Sequence, residues 1–392
     1  MPDYRPIPAI YEDEYRRFLR YAFEPENGLQ ADEDDDDESE LGDRRGVFDG
    51  DDLRCVCKHY WFTARIRGDW HEMAGLSAVA SPPESRRRGL VRDMLAESLA
   101  EYRENEVYFS ALWPFSYEFY RKYGWATANK HTKYETTPDA LDLDIEPAGE
   151  FRPLDADDWE LLVPAFDAMT EGYALSTDRT EDWWRERIFK SWKRDPYVYA
   201  WMREDEARGF IVYTVHDEGD GKRFKVWELT AMDDEAYRHL LRFVQYHDSQ
   251  VETVELTYVP ESTDLLDIVA NPRDVDCEIN AGPMFRLVDV PRALESIAYD
   301  ADATVVLRVT DPLAAWNEGT FELDTDDVVR CERTDADPDV TIDVNTLSQL
   351  VVGYHAVEDA ERFGNLTVET GDARATLAEL FPERDVFLTE GF

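Results

Sequence analysis

From Glu12 to Phe23 the apolar residues Tyr15, Phe18, Leu19 and Ala22 recur at helical spacing and predict an amphipathic helix. Residues 54–66 alternate and predict a strand, and residues 107–112 (VYFSAL) predict a second. Residues 76–80 predict a strand running through a turn into a helix, whose apolar stripe is Leu90, Val91, Met94, Leu95 and Leu99. Residues 181–192 are aromatic and helical. Residues 197–201, 210–215 and 224–230 predict strands parted by turns rich in Gly, Asp and Glu, and residues 235–246 predict a helix. The last hundred residues alternate short strands (304–309, 340–344) with two helices (346–354, 373–381). Pro147-Ala148-Gly149 reads as a linker, and the pattern changes again around residues 288–293. The blocks suggest three domains, residues 1–146, 147–290 and 291–392.

Composition narrows the partners. The 392 residues carry 42 Lys and Arg against 87 Asp and Glu, so the formal charge is 42 − 87 = −45. Nucleic acid and anionic membrane surfaces need a basic footprint and are excluded as main partners, whereas cationic ligands are favoured. Only eight of the 42 basic residues are lysines. Surplus acid with Arg preferred to Lys suits a protein kept soluble in high salt and points to a halophilic, haloarchaeal-type source. A single acidic tail is the plainer alternative, but the acid is spread along the chain. Its densest run, residues 32–40, falls in a segment, 31–52, expected to be a surface loop. No signal peptide, membrane span or disulfide framework is visible, and a cytoplasmic location is expected.

The segment 74–99, AGLSAVASPPESRRRGLVRDMLAESL, carries the clearest chemistry. A strand leads into Arg86-Arg87-Arg88-Gly89-Leu90-Val91 at the start of a helix. Gly89 lets the backbone approach a ligand, the first helical N–H groups have no intrahelical partner, and the helix dipole is positive there. Together these make an anion site suited to a pyrophosphate, to which arginines add forked donors. A merely exposed basic helix start would oppose the dipole, and three consecutive arginines in so acidic a chain need a reason.

This segment resembles the R/Q-x-x-G-x-G/A signature of the GNAT acyltransferase superfamily, with Val91 at the last small position. Phe119-Tyr120-Arg121-Lys122-Tyr123-Gly124-Trp125 resembles that superfamily's last motif. The resemblance implies acetyl-coenzyme A as cosubstrate. Its strand contacts would fall on Val79, Ala80 and Ser81, and its phosphate contacts on Arg86, Arg87, Arg88, Gly89, Leu90, Val91 and Arg92. Further contacts would fall on Phe115 and Ser116, and Tyr120 would be the acid for the leaving thiolate. Ser81 and Pro82 replace the apolar residues usual before the motif's proline, Pro83. From spacing alone Tyr120 is equally a core aromatic.

The second block repeats the strand and helix, but its turn, Met232-Asp233-Asp234-Glu235, is acidic and lacks glycine, so it would repel a pyrophosphate. It reads as a degenerate GNAT-like fold or as an unrelated α/β domain. With Asp311-Pro312, Trp316-Asn317 and Gly319 in the third block, the chain resembles the enhanced intracellular survival (Eis) family. That resemblance implies an α/β protein: tandem GNAT folds with mixed sheets flanked by helices, plus a C-terminal α+β domain like sterol carrier proteins. It further implies acetyl transfer to a primary amine of an aminoglycoside-, polyamine- or lysine-like small molecule, a hexamer, and the carboxylate of Phe392 as base. The alternative is a non-catalytic coenzyme A- or lipid-binding protein on the same scaffold. The third block could bind lipid or serve to position the chain's end. Cys55, Cys57 and His59 share a strand face, but without a fourth ligand no metal is expected. Trp183, Trp184 and Trp192 read as core or subunit interface.

Overall fold

The structure, a computed structural model, describes residues 3–28, 41–191, 194–219 and 221–392. The acidic run 32–40 and Trp192 lie outside the described residues.

Among the described residues, three mixed sheets carry the chain. The first runs in the order Asp3–Pro6, Asp43–Asp49, Asp52–Ile66, Asp69–Ala80, Phe109–Leu112, Met284–Leu287, Ala126–Thr127, with Thr177–Asp178 paired to Asp52–Ile66. The second runs Asp276–Ala281, Lys130–Thr136, Thr253–Pro260, Lys222–Ala231, Glu206–Asp217, Tyr197–Arg203, Glu150–Pro153. The third runs Arg330–Arg333, Gly319–Asp324, Thr304–Thr310, Val340–Asp343, Leu366–Val368. Each sheet has one parallel pair: Asp69–Ala80 with Phe109–Leu112, Lys222–Ala231 with Thr253–Pro260, and Thr304–Thr310 with Val340–Asp343.

Two differences from the sequence reading matter for the site. The strand Lys130–Thr136 belongs to the second sheet, and Met284–Leu287 to the first, so the boundary at 146/147 does not separate the first two sheets, whereas every described strand of the third sheet lies beyond 290/291. Each sheet is completed by a strand from the other's stretch of chain, which welds the two layers side by side. In addition, Asp43–Asp49 is a strand, not surface loop. Val47 and Phe48 are buried, while Arg44 and Arg45 pair with Glu12 and Glu101 and hide its strand character behind charge.

The helix Glu12–Phe23 buries Tyr15, Phe18 and Leu19 against the first sheet, and Leu90–Glu104 buries Leu90, Met94, Leu95, Leu99 and Tyr102. The third domain docks through the motif noticed in the sequence. Asp311 pairs with the fully buried Arg286 at 2.5 Å and accepts from Asn317 Nδ2 at 2.9 Å, while Trp316 Nε1 donates to the Val288 carbonyl. Its helix Val344–Val352 is capped by Arg67 of the first domain, which donates to the carbonyls of Leu350 and Val351. The inner face of its sheet is filled by Val305, Leu307, Phe321, Leu323, Leu347 and Leu350, all buried.

Candidate active site

In the arginine turn, Arg87 (φ 57°) and Gly89 (φ 84°) are both left-handed, and Gly89 caps Leu90–Glu104 without any side-chain hydrogen bond. A Cβ built on Gly89 meets nothing within 4 Å, so the helix start opens to space. Arg86, Arg87, Arg88 and Arg92 are exposed around it, and Val91 is half-buried. Arg86 Nε is tied to the Ser81 carbonyl at 2.9 Å. Arg87 and Arg88 hold no ion pair among the described residues. This is a cationic cradle at an uncapped helix N-terminus, and it fits a pyrophosphate.

The strand before it is built to open. The parallel ladder stops at Leu76↔Leu112, and beyond it residues 77–80 pair only with Asp52–Ile66. A bulge between Val56 and Lys58, with Ala78 at φ 53°, turns Val79, Ala80 and Ser81 away from their former neighbour. The result is a gap in the sheet whose rim carries backbone groups without ladder partners, suited to an amide-bearing arm.

Tyr120 lies beside that gap. It is 3% exposed, within the cluster of Leu76, Leu112 and half-buried Val79, and its ring meets Phe115, Phe119 and Trp125. Burial pushes its hydroxyl above the usual phenol range, so it stays protonated. Phe115 is 64% exposed beside it. Ser116 is already engaged: its hydroxyl caps the helix Tyr117–Arg121 by accepting from Phe119 N–H at 3.4 Å.

Phe392 reaches the same gap from the other face. Its ring lies 4.9 Å from Phe62 and 5.8 Å from Tyr60, above Gly75, where a Cβ would come within 2.8 Å of it. Met73, Phe109 and Ala111 line that face; Ala74, Leu76 and Leu112 point to the face of Tyr120. The two residues thus flank the end of the parallel ladder from opposite sides.

Sequence reading missed what holds this tail. Glu390, 2% exposed, accepts from Arg179 Nε at 2.7 Å, Thr177 Oγ1 at 2.8 Å and Trp183 Nε1 at 2.5 Å. Arg179 also forks onto Glu228 with two bonds of 3.0 Å. Burial alone would raise the Glu390 carboxyl, but Arg179 and the other donors outweigh it and hold its pKa below the usual range. Glu228, where burial wins, is raised. Main-chain carbonyls of the tail are gripped too: Leu388 by Tyr258 Oη, Glu390 by Trp113 Nε1 and Gly391 by Arg187 Nη2, at 2.8–2.9 Å. The only sequence signal was the Trp183-Trp184 cluster. Trp184 is core, packed on Phe166 and Phe210, whereas Trp183 joins Glu390 to the Phe392 seat.

The second domain repeats the divergence after Val226↔Leu256, with a cleft of about 440 Å³ closed on one side by Phe387 and Thr389 of the tail. Its helix Asp234–Gln245 is already capped by a carboxylate, Asp233, which accepts from Ala236 N–H at 2.9 Å and pairs with Arg208. An internal anion therefore stands where the first domain leaves room for an external one. The face of Cys55, Cys57 and His59 is filled by Met94 and Ser98, with His59 Nε2 3.1 Å from Ser98 Oγ. Among the described residues no group of three or more His, Cys, Asp and Glu could hold a metal. Nor, among them, is any helix long and apolar enough to cross a membrane.

Residues 3–128 and 175–287 each match a family model of the acetyltransferase (GNAT) domain, and residues 290–389 match the sterol carrier protein domain. An uncharacterized N-acetyltransferase of Streptomyces griseus is 27% identical over 367 residues, covering 88% of this chain and 87% of its own length. The N-acetyltransferase Eis of Mycobacterium tuberculosis is 27% identical over 299 residues, covering 72% and 71%. In fold, the chain is similar to a GCN5-related N-acetyltransferase from Anabaena variabilis (TM-score 0.83, 18% identity, 98% of each chain). It is also similar to Eis1 from Mycobacterium abscessus (TM-score 0.76, 24% identity, 100% of each chain). Tandem GNAT domains followed by a sterol-carrier-like domain, with one open cradle beside a parted sheet, define a GNAT-type acetyltransferase. Within that class the chain is an acetyl-coenzyme A-dependent N-acetyltransferase, similar to the Eis enzymes over most of its length.

Proposed function

We propose that this enzyme acetylates a primary amine of a small molecule, an aminoglycoside-, polyamine- or lysine-like acceptor, by direct attack across the gap in the first sheet. The observation that carries the reading is the placement of Tyr120 and Phe392 on opposite faces of the sheet at the point where its parallel ladder ends. Acetyl-coenzyme A supplies the activated acetyl group. In this reading Arg86, Arg87, Arg88, Arg92 and the N–H groups of Gly89, Leu90 and Val91 hold its pyrophosphate, while Val79, Ala80 and Ser81 pair with the arm. Phe115 offers an apolar wall, and Ser116 fixes the turn that presents Tyr120.

An amine must lose a proton to become a nucleophile, and a departing thiolate must be neutralised. Phe392 brings its carboxylate to the amine's face, where it orients the ammonium and accepts its proton directly or through water. Tyr120 remains protonated in its buried position and donates to the sulfur on the opposite face. The acidic surface, at net −45, concentrates cationic acceptors. The proposal extends to a salt-adapted protein working in the cytoplasm as a homo-oligomer, a hexamer, and to a third domain that positions the tail. Release of free thiol from acetyl-coenzyme A, measured in molar salt with a panel of polyamines and aminoglycosides, tests the reading. Amine-dependent release supports it; coenzyme A binding without turnover on any amine would favour a non-catalytic scaffold.

A further inference from the structure

The second domain has lost its own anion cradle, yet its segment from Thr177 to Arg187 meets the tail at every turn. We propose that Arg179 and Glu390 form a clamp through which the second domain sets the position of Phe392 in the first domain's site. Both are positioning residues, and the inference rests on the reading that Phe392 acts on the amine.

A buried ion pair is a poor device for stability alone, because desolvating both charges consumes most of the attraction. What it supplies here is direction. Both Glu390 carboxylate oxygens are bonded, Oε1 to Arg179 and Thr177, Oε2 to Trp183, which fixes its rotation as well as its depth. Arg179 is itself fixed by Glu228 from behind and by the rings of Phe166 and Trp184, 3.9 and 4.6 Å from its guanidinium carbon. Two residues on, Phe392 sits against Tyr60 and Phe62, and Trp183 packs edge-on to the same two rings at 5.6 and 4.9 Å. Trp183 therefore touches both ends of the arrangement, the anchored carboxylate and the seat of the ring. Arg187, bonded to the Gly391 carbonyl, closes the span between them. The degenerate domain thus acts as a jaw that holds a third-domain segment in a first-domain site.

The test is a double-mutant cycle between Glu390→Gln and a chain extended by two glycines after Phe392, each assayed for kcat, amine KM and coenzyme A affinity. Misplacing a reacting group by an ångström can cost about a hundredfold. Glu390→Gln is therefore expected to lower kcat about tenfold in the native chain with coenzyme A affinity unchanged, and less than about twofold in the extended chain, where the end is already displaced. Thr177→Val removes the hydroxyl's bonds to Glu390 and Thr389 and keeps every charge; it is expected to lower kcat in the same direction with an unchanged melting temperature, which separates positioning from unfolding. If extension is costly but a folded Glu390→Gln chain keeps its kcat, or loses equally in both backgrounds, the clamp is overturned and the role of Phe392 stands. If extension costs nothing, both are overturned.

Discussion

Between Tyr60 and Ala111 in the first sheet, Gly75 leaves a hole that the ring of Phe392 occupies, with Phe62 at its other side. A side chain there must displace one aromatic or the other. Gly75→Val is expected to lower kcat about tenfold or more through a misplaced tail, with coenzyme A affinity unchanged in calorimetry. Equal losses in both would place the damage in the sheet itself. His59 gives a second prediction. It is buried, and burial pulls its pKa from 6.5 to about 4. The unfolded chain then binds the proton that the native one refuses, so stability is full above about pH 6.5 and falls as the pH drops toward 4. This group alone should cost about 2 kcal/mol between pH 7 and pH 5. Urea unfolding of His59→Gln should show that much less loss over the same interval; an identical slope would mean the imidazole does not titrate against folding. Tyr120 and Phe392 were legible in the sequence as an aromatic motif and an aromatic end. Gly75, Thr177, Arg179 and Glu390 were not, since Arg179 and Glu390 stand 211 residues apart and no local pattern joins them.

The two helix starts, one after each diverging strand, show how a cradle is made or lost. Gly89 has no side chain to cap its helix, while Asp233 caps its own. Gly89→Asp copies the second domain into the first. Its carboxylate would meet the free N–H groups, which offsets part of the strain at φ 84°, and would occupy the anion's place. The expected result is a folded variant with coenzyme A binding undetectable by calorimetry; unchanged affinity would move the cofactor elsewhere. This strand–turn–helix was legible because it is contiguous: residues 74–99 carry strand, glycine and apolar stripe in one run. Asp43–Asp49 was hidden by three charged residues at its start. The exchange of Lys130–Thr136 and Met284–Leu287 between sheets was hidden because pairing partners lie far apart in the chain.

At the scale of the molecule, the charge of −45 is a self-repulsion that salt relieves, with a screening length of about 3 Å at 1 M. The melting temperature is expected to rise from low to molar salt, and a flat or falling response would count against salt adaptation. Composition and motif order made the three-domain plan legible; the way the domains meet was not, because it depends on side chains such as Arg286, Arg67 and Arg179 that look alike in sequence. In the proposed mechanism a third-domain segment, held by the second domain, completes the first domain's site. The measurement that bears on it most directly is amine-dependent thiol release by the chain extended beyond Phe392, alongside calorimetry of coenzyme A. The expected result is a loss of about tenfold or more in kcat, as for a displaced proton acceptor, with cofactor affinity intact. An extended chain that turns over its best amine at the native rate would contradict it.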